Sequence, residues 1–283
     1  MMQSEITALN WLAALRAEAQ IPPLRPRVPL WAGKAGGGLI GSVESGFMHQ
    51  MAVLCEGSGH GRLLAQGQFT ATDGAATEGW FVRGDVTTSL NQLAALMSEA
   101  GLAGAWRNEQ LAVCDTQGQR LGTVERAAVR PLGIRTLAVH LVGLSPDGRF
   151  WVQQRAFDKA NDPGLWDTLM GGMVSAADTT ETALARETWE EAGLNVSKLQ
   201  QLHYGGSLTT RRPAHDGGGA GYVVEQIDWY CCTVPEGLVP DNQDGEVEKF
   251  CLMDSAQLLG VLQNSEFTLE AALILAAVMG LGE

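Results

Sequence analysis

Three glutamates at helical spacing are the residues of this 283-residue chain whose arrangement could do chemistry. Glu190 and Glu191 follow Glu187 by three and four positions, so in a helix of about 3.6 residues per turn their side chains share one face. Like charges at this spacing destabilise a helix by about 0.2–0.5 kcal/mol per pair, and no lysine lies between Asp178 and Gly193. The spacing indicates either a solvated acidic face or a site where carboxylate oxygens bind Mg²⁺.

The residues around the glutamates favour the metal site. The stretch from Gly172 to Leu194 reads G-x5-D-x7-R-E-T-x-E-E-x-G-L and resembles the Nudix box G-x5-E-x7-R-E-U-x-E-E-x-G-U, in which U is a bulky aliphatic residue. Seven of the nine defined positions match, and Asp178 and Thr188 are the two that differ. Asp178 followed by Glu181 fits an N-terminal capping box. Thr188 adds a hydroxyl that needs a hydrogen-bond partner.

The resemblance implies a role for each residue of the box. Glu187, Glu190 and Glu191 are expected to bind Mg²⁺, for which Mn²⁺ can substitute, and the carbonyl of Gly172 is expected to be a further ligand. Metal ions held there would neutralise a diphosphate, activate a water molecule and stabilise the leaving phosphate. Arg186 stays protonated and so cannot be a base. We expect it to orient one of the catalytic glutamates.

Residues outside the box are candidates for the remaining tasks. Glu246 is the candidate general base, with Glu248 as an alternative, and an exposed position on a strand would explain both equally well. Three residues are candidate substrate contacts: Arg155, Arg211 (with Arg212 beside it) and Trp166. Solvation of the arginines and core packing of the tryptophan are the alternatives. His140 lies on an apolar strand and is predicted to be a hydrogen-bonded core histidine.

Charge and composition restrict the class of ligand. The net charge is -13, of which residues 1–128 contribute -2 and residues 129–283 contribute -11. This acidity argues against nonspecific binding to nucleic acid or to an anionic membrane surface. The acidity lies with the proposed metal site, where an anionic diphosphate could bind only together with cations. We therefore expect a small-molecule diphosphate as the ligand, and a homodimer remains open.

Cysteines and hydropathy predict a cytoplasmic protein. The five cysteines are odd in number and show no CxxC spacing, which suits a reducing compartment. The first twenty residues carry two glutamates and lack a basic start followed by an apolar core, so no secretory signal is predicted. The apolar run 271–281 is about half the ~20 residues that a bilayer requires and is predicted to be a buried terminal helix.

The pattern of elements divides the chain near residue 128. The first part, residues 1–128, is predicted to be a small α+β domain with helices at 4–19 and 88–100, strands at 38–43 and 61–70, and a hairpin of 111–114 with 120–124. The second part, residues 129–283, begins with a hairpin of 137–144 and 150–154, followed by the acidic helix. Strands at 205–208 and 222–234 then flank a loop predicted at 211–221.

Resemblance extends beyond the box. The segments 106–109, 124–128, 133–136, 163–167 and 244–250 resemble two-domain Nudix proteins related to thiamine pyrophosphokinase. This resemblance implies an α/β (α+β) architecture, with a mixed sheet sandwiched between helices after an N-terminal domain of undefined role. It also implies hydrolysis of thiamine diphosphate, or of its oxidised forms, to the monophosphate. A hydrolase of another nucleoside diphosphate-linked metabolite, and a Nudix-fold module that binds a diphosphate without cleaving it, are the alternatives.

Overall fold

The computed structural model describes residues 2–33, 37–70 and 76–281. Over these residues the helices are α1 (Met2–Glu18), α2 (Ser45–Gly57), α3 (Val86–Glu99), α4 (Thr180–Ala192), α5 (Ser255–Gln263) and α6 (Leu269–Val278). The strands are β1 (Arg27–Ala32), β2 (Gly38–Glu44), β3 (Leu64–Thr70), β4 (Ala76–Val82), β5 (Gln110–Cys114), β6 (Arg120–Glu125), β7 (Thr136–Leu144), β8 (Phe150–Arg155), β9 (Trp166–Asp167), β10 (Met170–Met173), β11 (Gln200–Ala214), β12 (Gly221–Thr233) and β13 (Val247–Met253).

The first half of the chain forms a small sheet covered by helices. Its strand order is β2-β1-β4-β3, in which β1 and β4 are parallel and the other pairs are antiparallel. Apolar residues of α2 and α3, among them Met48, Met51 and Leu90, are fully buried against this sheet. The predicted hairpin is confirmed as β5 paired with β6. The sequence did not predict α2, which lies between two glycine-containing segments.

The second half forms a mixed sheet between two layers of helix. The strand order is β11-β12-β7-β8-β13, with β10 paired to β7 and β9 paired to β8. Strands β7 and β12 are parallel, whereas β7 and β8 form the predicted antiparallel hairpin. One apolar core lies between the sheet and helices α5 and α6, and another includes buried residues of α4. The predicted sandwich of a mixed sheet between helices is therefore confirmed.

Strand β11 is longer than the sequence predicted. It runs to Ala214 and pairs with β12 along its length, so the loop predicted at 211–221 is wrong at its start and both arginines lie on a strand. The true tip of this hairpin contains a short 3₁₀ turn, Gly217–Gly219, and Gly217 is buried beside Pro131 and Phe47. The tip therefore packs against the first half of the chain.

Helix α6 confirms the predicted buried terminal helix, because its apolar residues Ala271, Ile274 and Leu275 are fully buried. Thr268 begins it by accepting a hydrogen bond from the backbone N–H of Ala271. Among the described residues, none of the helices combines the length and apolar character needed to cross a membrane.

Arg27 connects the two halves through backbone carbonyls. Its guanidinium donates hydrogen bonds to the carbonyls of Ser42, Pro131 and Ala220, the bond to Pro131 being 3.0 Å long. It also lies 5.6 Å from the ring centre of Tyr222. The last two carbonyls belong to segments outside the first sheet, so one buried cation holds the hairpin tip against it.

Replacing Arg27 by alanine should therefore lower the free energy of unfolding by about 2–3 kcal/mol, because carbonyls that lose a charged donor are left buried. Arg25→Ala is the matched control, since the Arg25 side chain is 67% exposed and, among the described residues, pairs with Glu44 alone, at 2.9 Å. The control should cost less than about 1 kcal/mol. Urea denaturation of both variants measures the difference, and equal costs would contradict the connecting role.

Candidate active site

The acidic helix begins one residue later than the sequence predicted. Thr179 is the N-cap of α4, and its side chain accepts a hydrogen bond from the backbone N–H of Thr182, whose hydroxyl in turn accepts from the N–H of Thr179. The predicted capping box of Asp178 with Glu181 is therefore wrong. Asp178 instead accepts hydrogen bonds from Nε and Nη2 of Arg186, at 3.0 and 2.9 Å. The helix ends at Gly193, which adopts a left-handed φ of 62°.

The second departure from the box, Thr188, is satisfied within the helix. The residue is fully buried, and its hydroxyl donates a 2.6 Å hydrogen bond to the carbonyl of Leu184 one turn earlier. Bonds of this kind are the usual partner of a threonine in a helix interior. Thr188 can thus replace an aliphatic residue without leaving an unpaired polar atom, and the glutamate face is unchanged.

Arg186 lies between the carboxylates, as the sequence predicted for a residue that orients them. Its Nη1 donates to Glu187 at 2.8 Å and to Glu190 at 2.9 Å, while Asp178 accepts from the other side of the guanidinium. Burial alone would lower the pKa of Arg186, but the three carboxylates together raise it. Burial raises the pKa of Glu187 to about 7, against the opposing effect of Arg186.

Gly172 leaves room for the carboxylate of Glu187. It lies on β10, where it pairs with Val139 of β7. A Cβ atom at this position would lie 2.1 Å from Cδ of Glu187 and 2.4 and 2.5 Å from its two oxygens. A side chain at position 172 would therefore force the Glu187 carboxylate out of its present position. The backbone of Gly172 and the Glu187 carboxylate are therefore in direct contact, as a shared metal site needs.

Glu191 is the deepest of the three glutamates, with 2% of its surface exposed. It accepts hydrogen bonds from the backbone N–H of Gly171 at 3.0 Å and from Nε2 of Gln153 at 2.8 Å. The nearest cation is Nζ of Lys159, 3.9 Å from its other oxygen. Burial raises the pKa of Glu191 to about 8. The carboxylate is thus held in place by neutral donors and lacks a full counter-charge.

The donor set fits a divalent cation with oxygen ligands. Three carboxylates lie at one wall beside the backbone of β10, and burial raises the pKa of two of these carboxyl groups, Glu187 and Glu191. Within the described parts of the chain, no three carboxylate, imidazole or thiol groups already surround a single point as metal ligands. Arg186 instead bridges two of the glutamates. Metal binding would require these side chains to move.

The glutamates form one wall of a cavity of about 440 Å³. Both halves of the chain line it, and its lining is charged with both signs. The cations are Arg107, Arg126, Arg130, Arg155, Lys159, Arg186 and Arg212; the carboxylates are Glu109, Asp162, Asp167, Glu187, Glu190, Glu191, Glu225, Asp244, Glu246 and Glu270. A cavity of this size and polarity suits a small charged ligand.

Of the three predicted substrate contacts, one lines the cavity and two do not. Arg155 lines the cavity, and Asp167 holds its guanidinium at 3.2 Å. Arg211 lies outside the lining, because successive residues of β11 point to opposite faces and Arg212 is the one that faces the cavity. Trp166 also lies outside the lining. It packs against the core beside α6, with Nζ of Lys249 5.5 Å from its ring centre.

His140 is a buried histidine with a hydrogen-bond partner, as predicted. Its Nδ1 lies 2.9 Å from the hydroxyl of Thr168, which donates to the carbonyl of Met170 at 2.8 Å. The ring also reaches the cavity lining, and it lies where a Cβ on Gly171 would fall. The histidine ring therefore helps to set the distance between β7 and β10. Gly171 of β10 is the residue whose N–H donates to Glu191.

Glu246 reaches the cavity from the loop before β13, whereas Glu248 lies outside the lining. The carboxylate of Glu246 is 49% exposed and forms an ion pair with Lys159. Burial alone would raise the pKa of Glu246, but Lys159 holds it below its usual value. Glu246 is therefore ionised, as a general base must be, but the pairing with Lys159 that lowers its pKa also makes it a weaker base, since an effective general base has a pKa near the working pH.

Residues from the first half of the chain were missed as site residues. Arg107, Glu109 and Arg126 line the cavity together with Arg130, just after the division at residue 128, and Arg126 pairs with Glu109 at 2.7 Å. These residues occur within or next to the segments at 106–109 and 124–128 that carry the family resemblance. That clustering was the available signal. Its meaning depended on packing between distant segments, which a single sequence does not display.

Comparison with known proteins identifies the second half. A model of the NUDIX domain matches residues 134–274. An uncharacterised protein of Saccharomyces cerevisiae is 30% identical over 206 residues, which cover 66% of this chain and 59% of the relative. Nudix hydrolase 20 (chloroplastic) of Arabidopsis thaliana is 29% identical over 197 residues, covering 65% and 49%. Isopentenyl-diphosphate Delta-isomerase of Streptomyces avermitilis is 32% identical over 117 residues, covering 41% and 56%.

The chain spans about half of the length of these relatives, and their names include both a hydrolase and an isomerase. The matched region contains the mixed sheet, its two helical layers and the glutamates of α4. Residues 134–274 of this chain are therefore similar to a NUDIX domain both in sequence and in the elements that they contain.

Proposed function

We propose that this chain is a metal-dependent hydrolase of a small-molecule diphosphate, and that thiamine diphosphate or an oxidised form of it is the substrate. One observation carries the reaction class: Glu187, Glu190 and Glu191 converge with Gly172 at one wall of a charged cavity. The choice of thiamine diphosphate rests on the sequence resemblance described above. Mg²⁺ is the proposed metal, with Mn²⁺ as a substitute.

Different residues of the cavity have different roles in the proposed reaction. The glutamates and the Gly172 carbonyl would hold a divalent metal, which when bound would supply charge neutralisation and an activated water molecule. Arg155, aligned by Asp167, and Arg130 can donate to phosphate oxygens. Arg186 donates to Glu187 and Glu190 and stays protonated, so it can orient one of them once the carboxylates rearrange around a metal ion. Glu246, kept ionised by Lys159, accepts the proton of the attacking water.

A substrate panel tests the proposal. The full chain is incubated with Mg²⁺ and, separately, thiamine diphosphate, ADP-ribose, a nucleotide sugar and isopentenyl diphosphate, and phosphate and organic products are measured. We expect thiamine monophosphate and phosphate, with turnover lost on adding EDTA and restored by Mg²⁺ or Mn²⁺.

Three other results would redirect the assignment. Preferential cleavage of ADP-ribose or of the nucleotide sugar would change the proposed substrate but not the proposed class of reaction. Isomerised isopentenyl diphosphate without phosphate release would replace the reaction. Tight binding of one member without turnover, at any metal concentration, would show a binding module in place of an enzyme.

A further inference from the structure

The cavity has a second region, away from the acidic helix, whose charges the proposed hydrolysis does not use. It is formed by Arg212 on β11, Glu225 on β12, and Thr268 and Glu270 at the start of α6. The charges that act most strongly on Glu225 are those of Glu270, Arg130 and His140. None of these residues lies on α4, the helix that carries the glutamate face.

Negative charge is in excess in this region. Arg212 donates to Glu270 at 3.3 Å, and this pair balances itself. Glu225 accepts a 3.0 Å hydrogen bond from the neutral hydroxyl of Thr136, while Arg130 pairs with Asp216, at 3.3 Å. Burial and the nearby carboxylate of Glu270 raise the pKa of Glu225. A partly buried carboxylate thus faces the cavity without an ion-pair partner among the described residues.

Unpaired polar atoms lie beside the same carboxylate. Thr210 is directly opposite Glu225 in the β11–β12 register, so the two side chains lie on one face of the sheet. The Thr210 residue is fully buried, and in the described part of the chain its hydroxyl has no hydrogen-bond partner. The Nε of Arg212, two residues further along β11, is also buried and unpaired. Buried polar atoms are normally paired, so these two atoms mark a polar part of the sheet next to Glu225, although Thr210 itself lies outside the cavity lining.

We propose that Glu225, with Glu270 behind it, forms a subsite that binds a positively charged organic group of the substrate. The proposal rests on the proposed function and deepens it, because it assigns the non-phosphate part of the substrate to the β11–β12 region. A diphosphate would be repelled there and belongs with the metal face and the arginines. Thiamine diphosphate carries a permanently cationic thiazolium ring, so it has the charge distribution that this cavity selects.

A matched pair of probes separates charge from shape. Thiamine diphosphate is compared with an analogue in which an uncharged thiophene replaces the thiazolium ring, using the Mg²⁺-loaded full chain. The wild type should show a kcat/KM for the cationic probe at least about tenfold higher. Glu225→Gln should reduce that ratio by about tenfold, mainly through the KM of the cationic probe, because the variant lacks the negative charge that attracts the cationic ring.

Glu236→Gln is the control, since Glu236 is exposed and lies outside the cavity lining; it should keep the wild-type ratio. Glu270→Gln serves as a second variant if Glu225→Gln fails to fold, and it should reduce the ratio in the same direction. A wild-type enzyme that cleaves both probes equally well would overturn the subsite and leave the proposed hydrolysis standing.

If neither probe is cleaved, the proposed substrate fails and the subsite is judged by binding alone. Calorimetry with unphosphorylated thiamine and the metal-free full chain supplies that measurement. Binding that Glu225→Gln abolishes and Glu236→Gln preserves would support the subsite. Absence of thiamine binding by the wild type would overturn it.

Discussion

Replacing Glu191 by glutamine should abolish most of the proposed turnover and make the metal-free protein more stable. The carboxylate is buried, accepts hydrogen bonds from Gly171 and Gln153, and has a pKa raised to about 8 by burial. At pH 7 an ordinary glutamate is charged in the unfolded chain. Burying that group in the folded state therefore lowers the free energy of unfolding. A glutamine can accept the same hydrogen bonds without the charge.

We expect turnover with Mg²⁺ to fall about 10²–10³-fold, the usual cost of removing one preorganised electrostatic group. The free energy of unfolding without metal should rise by about 1–3 kcal/mol, as when other buried charges are removed. Added Mg²⁺ should stabilise the wild type more than the variant, because a ligand stabilises the state that binds it. Calorimetric melting with and without Mg²⁺, together with phosphate release, measures all three effects.

Glu181→Gln is the control on the same helix, because Glu181 lies in the exposed first turn of α4. It should leave turnover and the response to Mg²⁺ unchanged. Wild-type turnover by the Glu191 variant would remove this residue from the metal site. An equal stabilising effect of Mg²⁺ on the wild type and on the Glu191 variant would do the same.

The spacing of residues along the chain was sufficient to predict the part of the site that a single helix carries. The i+3 and i+4 spacing places the glutamates of α4 on one face whatever the rest of the fold does. The start of the helix was predicted less well, because both Asp178 and Thr179 can act as an N-cap. Which of them does so depends on whether another residue takes the Asp178 carboxylate. Arg186, two turns later, takes the Asp178 carboxylate, and Thr179 becomes the cap.

Strand β11 shows why the opposite wall was harder to predict. Most of its first ten residues are exposed, so the alternation of apolar and polar residues that marks a half-buried strand is absent. Pairing with β12 along one edge keeps the strand extended in spite of that pattern. The prediction therefore ended the strand early and placed Arg211 and Arg212 in a loop. Only the register shows that Arg212 faces the cavity, with Thr210 opposite Glu225.

The contribution of the first half depends on contacts between distant segments. Arg107 of the first half lines the cavity, and the hairpin tip near Gly217 packs beside Phe47, while Asp216 of that tip pairs with Arg130. No periodicity in a single sequence reports such a contact. The division into residues 1–128 and 129–283 stays a prediction. Leu132 and Ile134, which come after that boundary, are buried in the core of the first sheet.

The contact between Gly172 and Glu187 leads to a second large effect. Gly172→Ala would place a methyl group 2.1 Å from Cδ of Glu187, and the strand pairing with Val139 prevents the backbone from moving away easily. The carboxylate must then leave its position. We expect kcat/KM of the proposed reaction to fall by about 100-fold, since a displacement of about 1 Å in a catalytic group can cost that much. Stability should fall by about 1–3 kcal/mol from overpacking.

A double-mutant cycle assigns that cost to one contact, because coupled neighbours give non-additive changes in stability. In a Glu187→Ala background the colliding carboxylate is gone, so adding Gly172→Ala should cost little further stability. Gly260→Ala is the matched glycine control: Gly260 lies exposed in α5 with open space around its Cβ position, and alanine there should be neutral or slightly stabilising. If Gly172→Ala destabilises both backgrounds equally, the collision lies with the strand, and the glycine is required for β10 itself rather than for the carboxylate that it accommodates.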